Sequence, residues 1–251
     1  MRHYLSLFTL LVISNLSIAQ KTTDWQLWNN VEVGSDISNQ FYLSLDARYR
    51  TALGSDLDNW NKSGLLVRSK WTFNKTWSFY FDIINYYTSQ NNEENSYEFS
   101  QRLGVAFFIF KNGNSVFRKG EPALIQISPR LELSNFSRIE HRMFRYMESN
   151  TYNSYWRYRN RTRVKYALNR ESMLEEHLWR LDTDIEFFVP LSAEPDERYL
   201  SNIRVRIGPE YKHSIHWSFR AFYSFDHSGN GDSGGGNIES HMLMLRIKYV
   251  F

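Results

Sequence analysis

The sequence has no cysteine, five prolines and twelve glycines in 251 residues. Zero cysteine excludes a small disulfide-stapled domain and removes the thiolate ligands of a structural zinc site. Scarce proline and glycine, beside 42% hydrophobic and 17% aromatic residues, exclude a disordered chain. Mean hydropathy is negative and no apolar run approaches the ~20 residues of a transmembrane helix, which excludes a helical membrane protein. No sign of charge dominates either: 30 Lys and Arg against 27 Asp and Glu leave a net charge of +3, too balanced to indicate nucleic acid as a partner. What remains is a heavy load of large rings, 18 Phe, 16 Tyr and 8 Trp, in a polar chain. Rings and charges must therefore be sorted onto opposite faces of a regular structure.

Residues 1–19 read as a secretory signal peptide. Arg2 and His3 give a positive start, Leu5 to Ile13 form a short apolar core, and Ser17-Ile18-Ala19 supplies small residues for cleavage before Gln20. The apolar run is about half a membrane span, and no Cys follows it to accept a lipid. The expected mature chain is a single domain, residues 20–251.

That chain is dominated by period-two patterning, the mark of strands with one apolar and one polar face. In Gln40–Arg50, Phe41, Leu43, Leu45, Ala47 and Tyr49 oppose Tyr42, Ser44, Asp46, Arg48 and Arg50. Thr76–Tyr87, His177–Val189 and Ile215–Asp226 repeat the pattern. Further segments are Trp25–Val33, Gly64–Phe73, Tyr97–Phe110, Ala123–Leu133, Phe136–Tyr146, Tyr155–Leu168, Tyr199–Tyr211 and Ile238–Phe251. Asn169–Glu176 is the one stretch that could form a turn or two of helix.

Alternation fits a secreted β-sandwich, with apolar faces inside, or a transmembrane barrel, with apolar faces outside. Three features favour the barrel. Many segments are 10–13 residues long, near or beyond the ~9–11 that a tilted spanning strand needs. Trp and Tyr recur near segment ends, as at Trp25, Tyr49, Trp71, Trp77, Tyr87, Tyr155, Tyr211, Trp217 and Tyr249. The chain also stops on a strand that sets Leu243, Leu245, Ile247, Tyr249 and the terminal Phe251 on one face, which resembles the C-terminal signal read by the barrel-assembly machinery of outer membranes. The expectation is an all-β, antiparallel transmembrane barrel of about twelve strands in the outer membrane of a Gram-negative bacterium, surrounded by outer-membrane lipid. An even count would return both termini to one side. Two details disturb twelve. The short turns at Asn74-Lys75 and Lys212–Ser214 fall on opposite sides, and the turn at Ser134-Asn135 interrupts an unbroken parity of Arg130, Glu132, Arg138, Glu140 and Arg142. Ten strands therefore stay open.

With rings facing lipid, the lumen is charged. Arg157, Arg159, Arg161, Arg163 and Lys165 form a basic stripe, and the next segment presents Arg180, Asp182, Asp184 and Glu186. Arg138, Glu140 and Arg142 continue the theme, as do Arg204, Arg206 and Glu210. Such stripes on adjacent strands lie within cross-strand reach. They make either an electrostatic ladder that fills the barrel or a basic constriction that attracts small anionic solutes.

The arrangement Arg138-Ile139-Glu140-His141-Arg142, the Arg-x-Arg repeats of Arg157–Arg163, Glu186-Phe187-Phe188 and Arg204-Val205-Arg206-Ile207-Gly208 resembles the DUF2490 family. The resemblance implies an outer-membrane β-barrel without an assigned activity, so it supplies no site residues.

An acyl hydrolase needs a Ser nucleophile with a His base in reach. Asp226-His227-Ser228-Gly229-Asn230-Gly231 resembles the His-x-Ser-Asn-Gly pattern of outer-membrane phospholipases and lipid deacylases, but Ser228 directly follows His227, so on a strand the two point apart. His216 and Ser218 have the right spacing and the wrong face, and no Asn-Gly follows. Asp226, Asn230 and Asp232 give a faint calcium option without EF-hand spacing. The histidines have no zinc spacing, Gly234-Gly235-Gly236 lacks the Lys of a phosphate loop, and no cofactor is indicated. A passive channel or structural barrel leads; a lipid-modifying enzyme and a secreted sandwich follow.

Overall fold

The computed structural model describes residues 23–53, 60–74, 76–90, 94–111, 114–115, 128–192, 202–228 and 238–251. Residues 1–19, expected to be a signal peptide, and the loop carrying Asn230, Asp232 and Gly234–Gly236 lie outside these residues. The strands are β1 (Thr23–Asp36), β2 (Phe41–Leu53), β3 (Asn61–Thr72), β4 (Trp77–Ser89), β5 (Ser96–Lys111), β6 (Asn114–Ser115), β7 (Leu131–Tyr146), β8 (Tyr152–Ala167), β9 (Leu178–Pro190), β10 (Ile203–Lys212), β11 (Trp217–Ser228) and β12 (Ile238–Val250).

Eleven long strands form one closed barrel, each paired with its neighbour in sequence; β6 is a two-residue extension on β5. Every long pair is antiparallel except the last: β12 meets β1 in parallel, from Thr23↔Glu239 to Gly34↔Val250. The barrel fold is as the alternation indicates, and a single closed sheet excludes the two-sheet sandwich. Eleven strands fall within the expected ten to twelve, and only the even parity is corrected. Ser134-Asn135 is no turn but the interior of β7, which pairs with β8 from Leu131↔Tyr166 to Arg145↔Tyr152. An up-and-down meander with an odd number of strands must close on a parallel pair, so the all-antiparallel expectation fails at that one seam.

The polar appearance of Ser134–Ser137 has a structural cause. Asn135 and Ser137 sit on the outer surface, where Asn135 and Asn160 donate amide hydrogens to each other's carbonyl oxygens at 3.0 Å. Thr162 accepts from Asn135 at 3.1 Å, and Ser137 accepts from Asn160 at 2.7 Å and from Tyr158 at 3.1 Å. This cluster satisfies its own donors on an otherwise apolar wall, and its composition imitates a turn.

Merging those two segments resolves the misplaced turns. The connections after β1, β3 and β10 now lie at one end, together with Phe251. All three have the same construction. Ile37, Phe73 and His213 donate their backbone N–H to the carbonyls of Phe41, Trp77 and Trp217, and so do Ser38, Asn74 and Ser214. The side chains of those last three accept from backbone amides two and three residues on, at 2.8–3.3 Å. A Ser or Asn whose oxygen caps the turn, followed three residues later by a ring opening the next strand, is the repeated local signal. The segment Asn169–Glu176 is not helical: the Glu175 carboxylate takes the amides of Glu171 and Ser172 at 3.1 and 2.9 Å, leaving a loop of bends.

The barrel is inverted relative to a water-soluble protein. Its outer surface carries Val31, Leu45, Leu65, Val67, Phe81, Leu103, Ile139, Ile185, Val205, Ile207, Leu243, Leu245 and Ile247, all exposed. Rings bound this band on both sides. At the Phe251 end, Trp179 packs on Tyr211 and Trp217 on Tyr249, each with centroids 4.7 Å apart. At the Thr23 end, Trp25 stacks on His241 at 4.8 Å and Trp156 on His141 at 4.4 Å. Buried apolar side chains inside the barrel form small groups, such as Trp28, Phe222, Met242 and Met244.

Pro209 lies in the middle of β10, where it has no N–H to give to the ladder, and the backbones approach closely there. A Cβ on Gly208 would stand 2.0 Å from the Ala221 carbonyl oxygen and 2.8 Å from the Phe222 Cα. Both are backbone atoms and cannot rotate away. Gly208→Ala is expected to destabilise the refolded barrel by about 2 kcal/mol, measured as a lower denaturant midpoint in detergent; an unchanged midpoint would refute the close approach.

Candidate functional site: a charged lumen

The period of two that sends apolar side chains outward sends the charged ones inward. The β8 stripe of Arg157, Arg159, Arg161, Arg163 and Lys165 lines the interior, as do Arg138 and Arg142 of β7, Arg180 of β9, and Arg204, Arg206 and Glu210 of β10. Register then decides who meets whom. Arg157 lies opposite Glu140, Arg180 opposite Glu210, and Arg206 opposite Asp184. These pairs close at 2.6, 2.5 and 2.8 Å.

Glu140 is the most heavily shared carboxylate. Fully buried, it receives Arg157 at 2.6 Å, Arg138 at 2.6 Å and Arg159 at 3.0 Å, with Arg102 at 3.6 Å. Glu98 takes both fork nitrogens of Arg142 at 2.7 and 2.8 Å and Lys62 at 2.9 Å. Two further two-pronged pairs are Arg68 on Asp82, at 2.8 and 2.7 Å, and Arg163 on Asp182, at 2.7 and 2.6 Å. Such fork geometry is the strong form of the guanidinium–carboxylate bond. Glu186 is held by Arg159 at 2.6 Å, Asp226 by Arg204, and Lys165 reaches Glu132 at 3.2 Å. Arg204 thus bonds the carboxylate that the sequence offered as a calcium ligand.

Rings inside the lumen support the cations from below. Arg157, Arg159 and Arg204 have their guanidinium carbons 5.0, 4.4 and 5.1 Å from the Phe188 ring, and Arg50 lies 3.8 Å over Trp28. A guanidinium stacked on a ring keeps its N–H edge free for anions.

The interior encloses a cavity of about 670 Å³, whose lining runs from Gln26 and Thr88 near one end to Lys212 and Val250 near the other. Its wall is more basic than the ion-pair inventory suggests. Asp46, Asp82, Glu140, Asp182, Asp184 and Glu186 lie against the sheet, almost wholly covered, and do not line the cavity, whereas the arginines above them do. No protein-family model matches the chain, and neither does any curated protein.

The residues considered for acyl transfer fall at two opposite ends of the barrel, with His216 and Ser218 lining the cavity at one of them. His216 sits in the turn before β11 at the Phe251 end, with Nδ1 2.6 Å from the Val250 carbonyl oxygen. Ser218 faces the cavity at that end, while His227 and Ser228 close the opposite end of β11. Among the described residues, no group of three or more His, Asp or Glu is arranged to hold a metal ion. On the last strand, Leu243, Leu245, Ile247 and Phe251 face outward. Sequence reasoning missed Glu98, Lys62, Arg102 and Asp82, because only cross-strand register shows that they complete the β7–β8 network.

Removing the shared acid tests the network. Glu140→Gln leaves several guanidiniums around a neutral amide in a buried setting, and is expected to cost about 3 kcal/mol or more in denaturant unfolding of the refolded barrel. A loss below about 1 kcal/mol would mean that the arginines hold their places without it.

Proposed function

We propose that this chain is exported, inserted by the barrel-assembly machinery into the outer membrane of a Gram-negative bacterium, and acts there as a narrow passive channel for small anions. The carrying observation is the inverted polarity of the closed sheet: an apolar outer band bounded by two belts of rings, around a wall of arginines. In water such an exterior would be a severe aggregation hazard; in a bilayer it matches the solvent. The outward Leu243–Phe251 face supports recognition by the assembly machinery, and the resemblance of the Arg-rich segments to the DUF2490 family supports the same location.

The basic cavity wall favours anions over cations at the narrowest part of the path. A second reading has its own support. Pairing is so dense that the side chains could close the lumen and leave a structural barrel. Neither reading includes an enzymatic step, a cofactor or a nucleic acid.

Placement in the membrane is measured independently of conduction. In vesicles containing brominated lipid, fluorescence of the outward Trp25, Trp71, Trp77, Trp156, Trp179 and Trp217 is expected to be strongly quenched, while a variant retaining only Trp28 stays bright. Equal quenching of both would refute the reading. In planar bilayers under a salt gradient, a steady current with an anion-selective reversal potential supports the channel, and an inserted but silent barrel supports the structural alternative.

A further inference from the structure

Among the arginines that line the lumen, thirteen have a carboxylate within 4.0 Å: Arg48, Arg68, Arg102, Arg138, Arg142, Arg157, Arg159, Arg163, Arg180, Arg204, Arg206, Arg220 and Arg246. Arg50 and Arg161 are the exceptions among the described residues.

Each exception has a structural cause. Glu186 stands directly opposite Arg161 in the β8–β9 register, yet it bonds Arg159 at 2.6 Å. The next acid, Asp184, bonds Arg206 at 2.8 Å. The basic stripe of β8 therefore has one member more than its acidic neighbours can serve. Arg161 lies 5.4 Å from the Phe136 ring with its Nε buried and unbonded. Beside it, Arg206 Nη2 is also buried without a hydrogen bond. Arg50, on β2, is gripped by ring side chains: Trp28 lies under its guanidinium at 3.8 Å, and its Nη2 donates to the Tyr86 hydroxyl at 3.0 Å. Its Nε is buried and unbonded as well. Glu98, an acid whose charge acts on Arg50, is taken by Arg142 and Lys62.

A buried cation without a counterion is costly, and a guanidinium held flat on a ring presents its N–H edge to whatever enters the cavity. Resting on the channel reading, we propose that Arg50 and Arg161, the latter with Arg206, are two stations in the lumen that bind a small oxyanion of the phosphate or sulfate class. The planar fork favours an oxyanion, which accepts two N–H bonds at once, over a halide. Two separate stations also suit passage, since each holds an anion loosely enough to release it to the next.

The test uses the refolded full-length mature chain, with inorganic phosphate as the probe. In chloride-bathed bilayers, phosphate added to wild type reduces the chloride current, and R161Q or R50Q raises the half-blocking phosphate concentration about tenfold. R161K retains part of the block. Neither Gln variant loses folded barrel in phosphate-free buffer, because neither arginine has a carboxylate to abandon. Folded R50Q and R161Q barrels blocked by phosphate like wild type would overturn the stations and leave the channel intact. If wild type inserts without conducting, the channel reading fails and the stations are read from stability instead. Phosphate must then raise the melting temperature of wild type in detergent, more than chloride does at equal ionic strength, and must not do so in the double R50Q/R161Q variant. Equal shifts in both would overturn the stations in that case too.

Discussion

Everything inside this barrel depends on pairing buried guanidiniums with buried carboxylates. A closed sheet has no second layer to cover its inner face, so side chains alone must fill it and satisfy one another. The solution is a two-storey wall. Short or fully covered acids such as Glu140, Asp182 and Glu186 stand next to the sheet, and the longer arginines arch over them. An acid in this position neutralises several cations at once, as Glu140 does for Arg138, Arg157 and Arg159. Phe188, Phe136 and Trp28 fill the space beneath the guanidinium planes, against faces that form no hydrogen bonds. Most of the cations are paired against the wall, while the surface facing the cavity stays basic.

Alternation was legible because a half-polar sheet writes its two faces into the sequence with a period of two. That is why the inward positions of β8 and the outward ring positions could be read directly. The strand count was less legible for a local reason. Asn135 and Ser137 are polar side chains on an apolar surface, stabilised by Asn160, Thr162 and Tyr158 some twenty-five residues later. Within a short window they look like a turn, and only the pairing with β8 reveals a continuous strand. The unbroken parity from Glu132 to Arg142 held the opposite information. A stronger clue was present in the repeated turns at Ser38, Asn74 and Ser214, which share one chemistry and must share one side.

Which charges pair was not legible, because parity identifies a face but not a register. Arg163 lies opposite Asp184 yet bonds Asp182, and Arg161 lies opposite Glu186 yet leaves it to Arg159. One diagonal shift of that kind turns an apparently matched ladder into a matched ladder with a cation left over. The members supplied by β3, β4 and β5 carry no stripe of their own. Lys62, Asp82 and Glu98 acquire meaning only when the sheet brings them beside β7.

The odd number of strands places its consequence at the β1–β12 seam. Parallel pairing is slightly weaker per residue than antiparallel pairing, and this pair joins the two ends of the described chain. The seam is reinforced on both of its faces. Inside, Glu32 of β1 bonds Arg246 and, at 3.3 Å, Lys248 of β12, while Tyr42 of β2 donates to the same carboxylate at 2.7 Å. Arg246 also reaches Asp46 of β2 at 3.4 Å, so one cluster ties three strands together across the closure. Outside, Trp25 stacks on His241, and the Phe251 amide donates to the Gly34 carbonyl at 2.9 Å. The chemistry that fills the lumen therefore also closes the wall, and a barrel of this parity needs both uses of it.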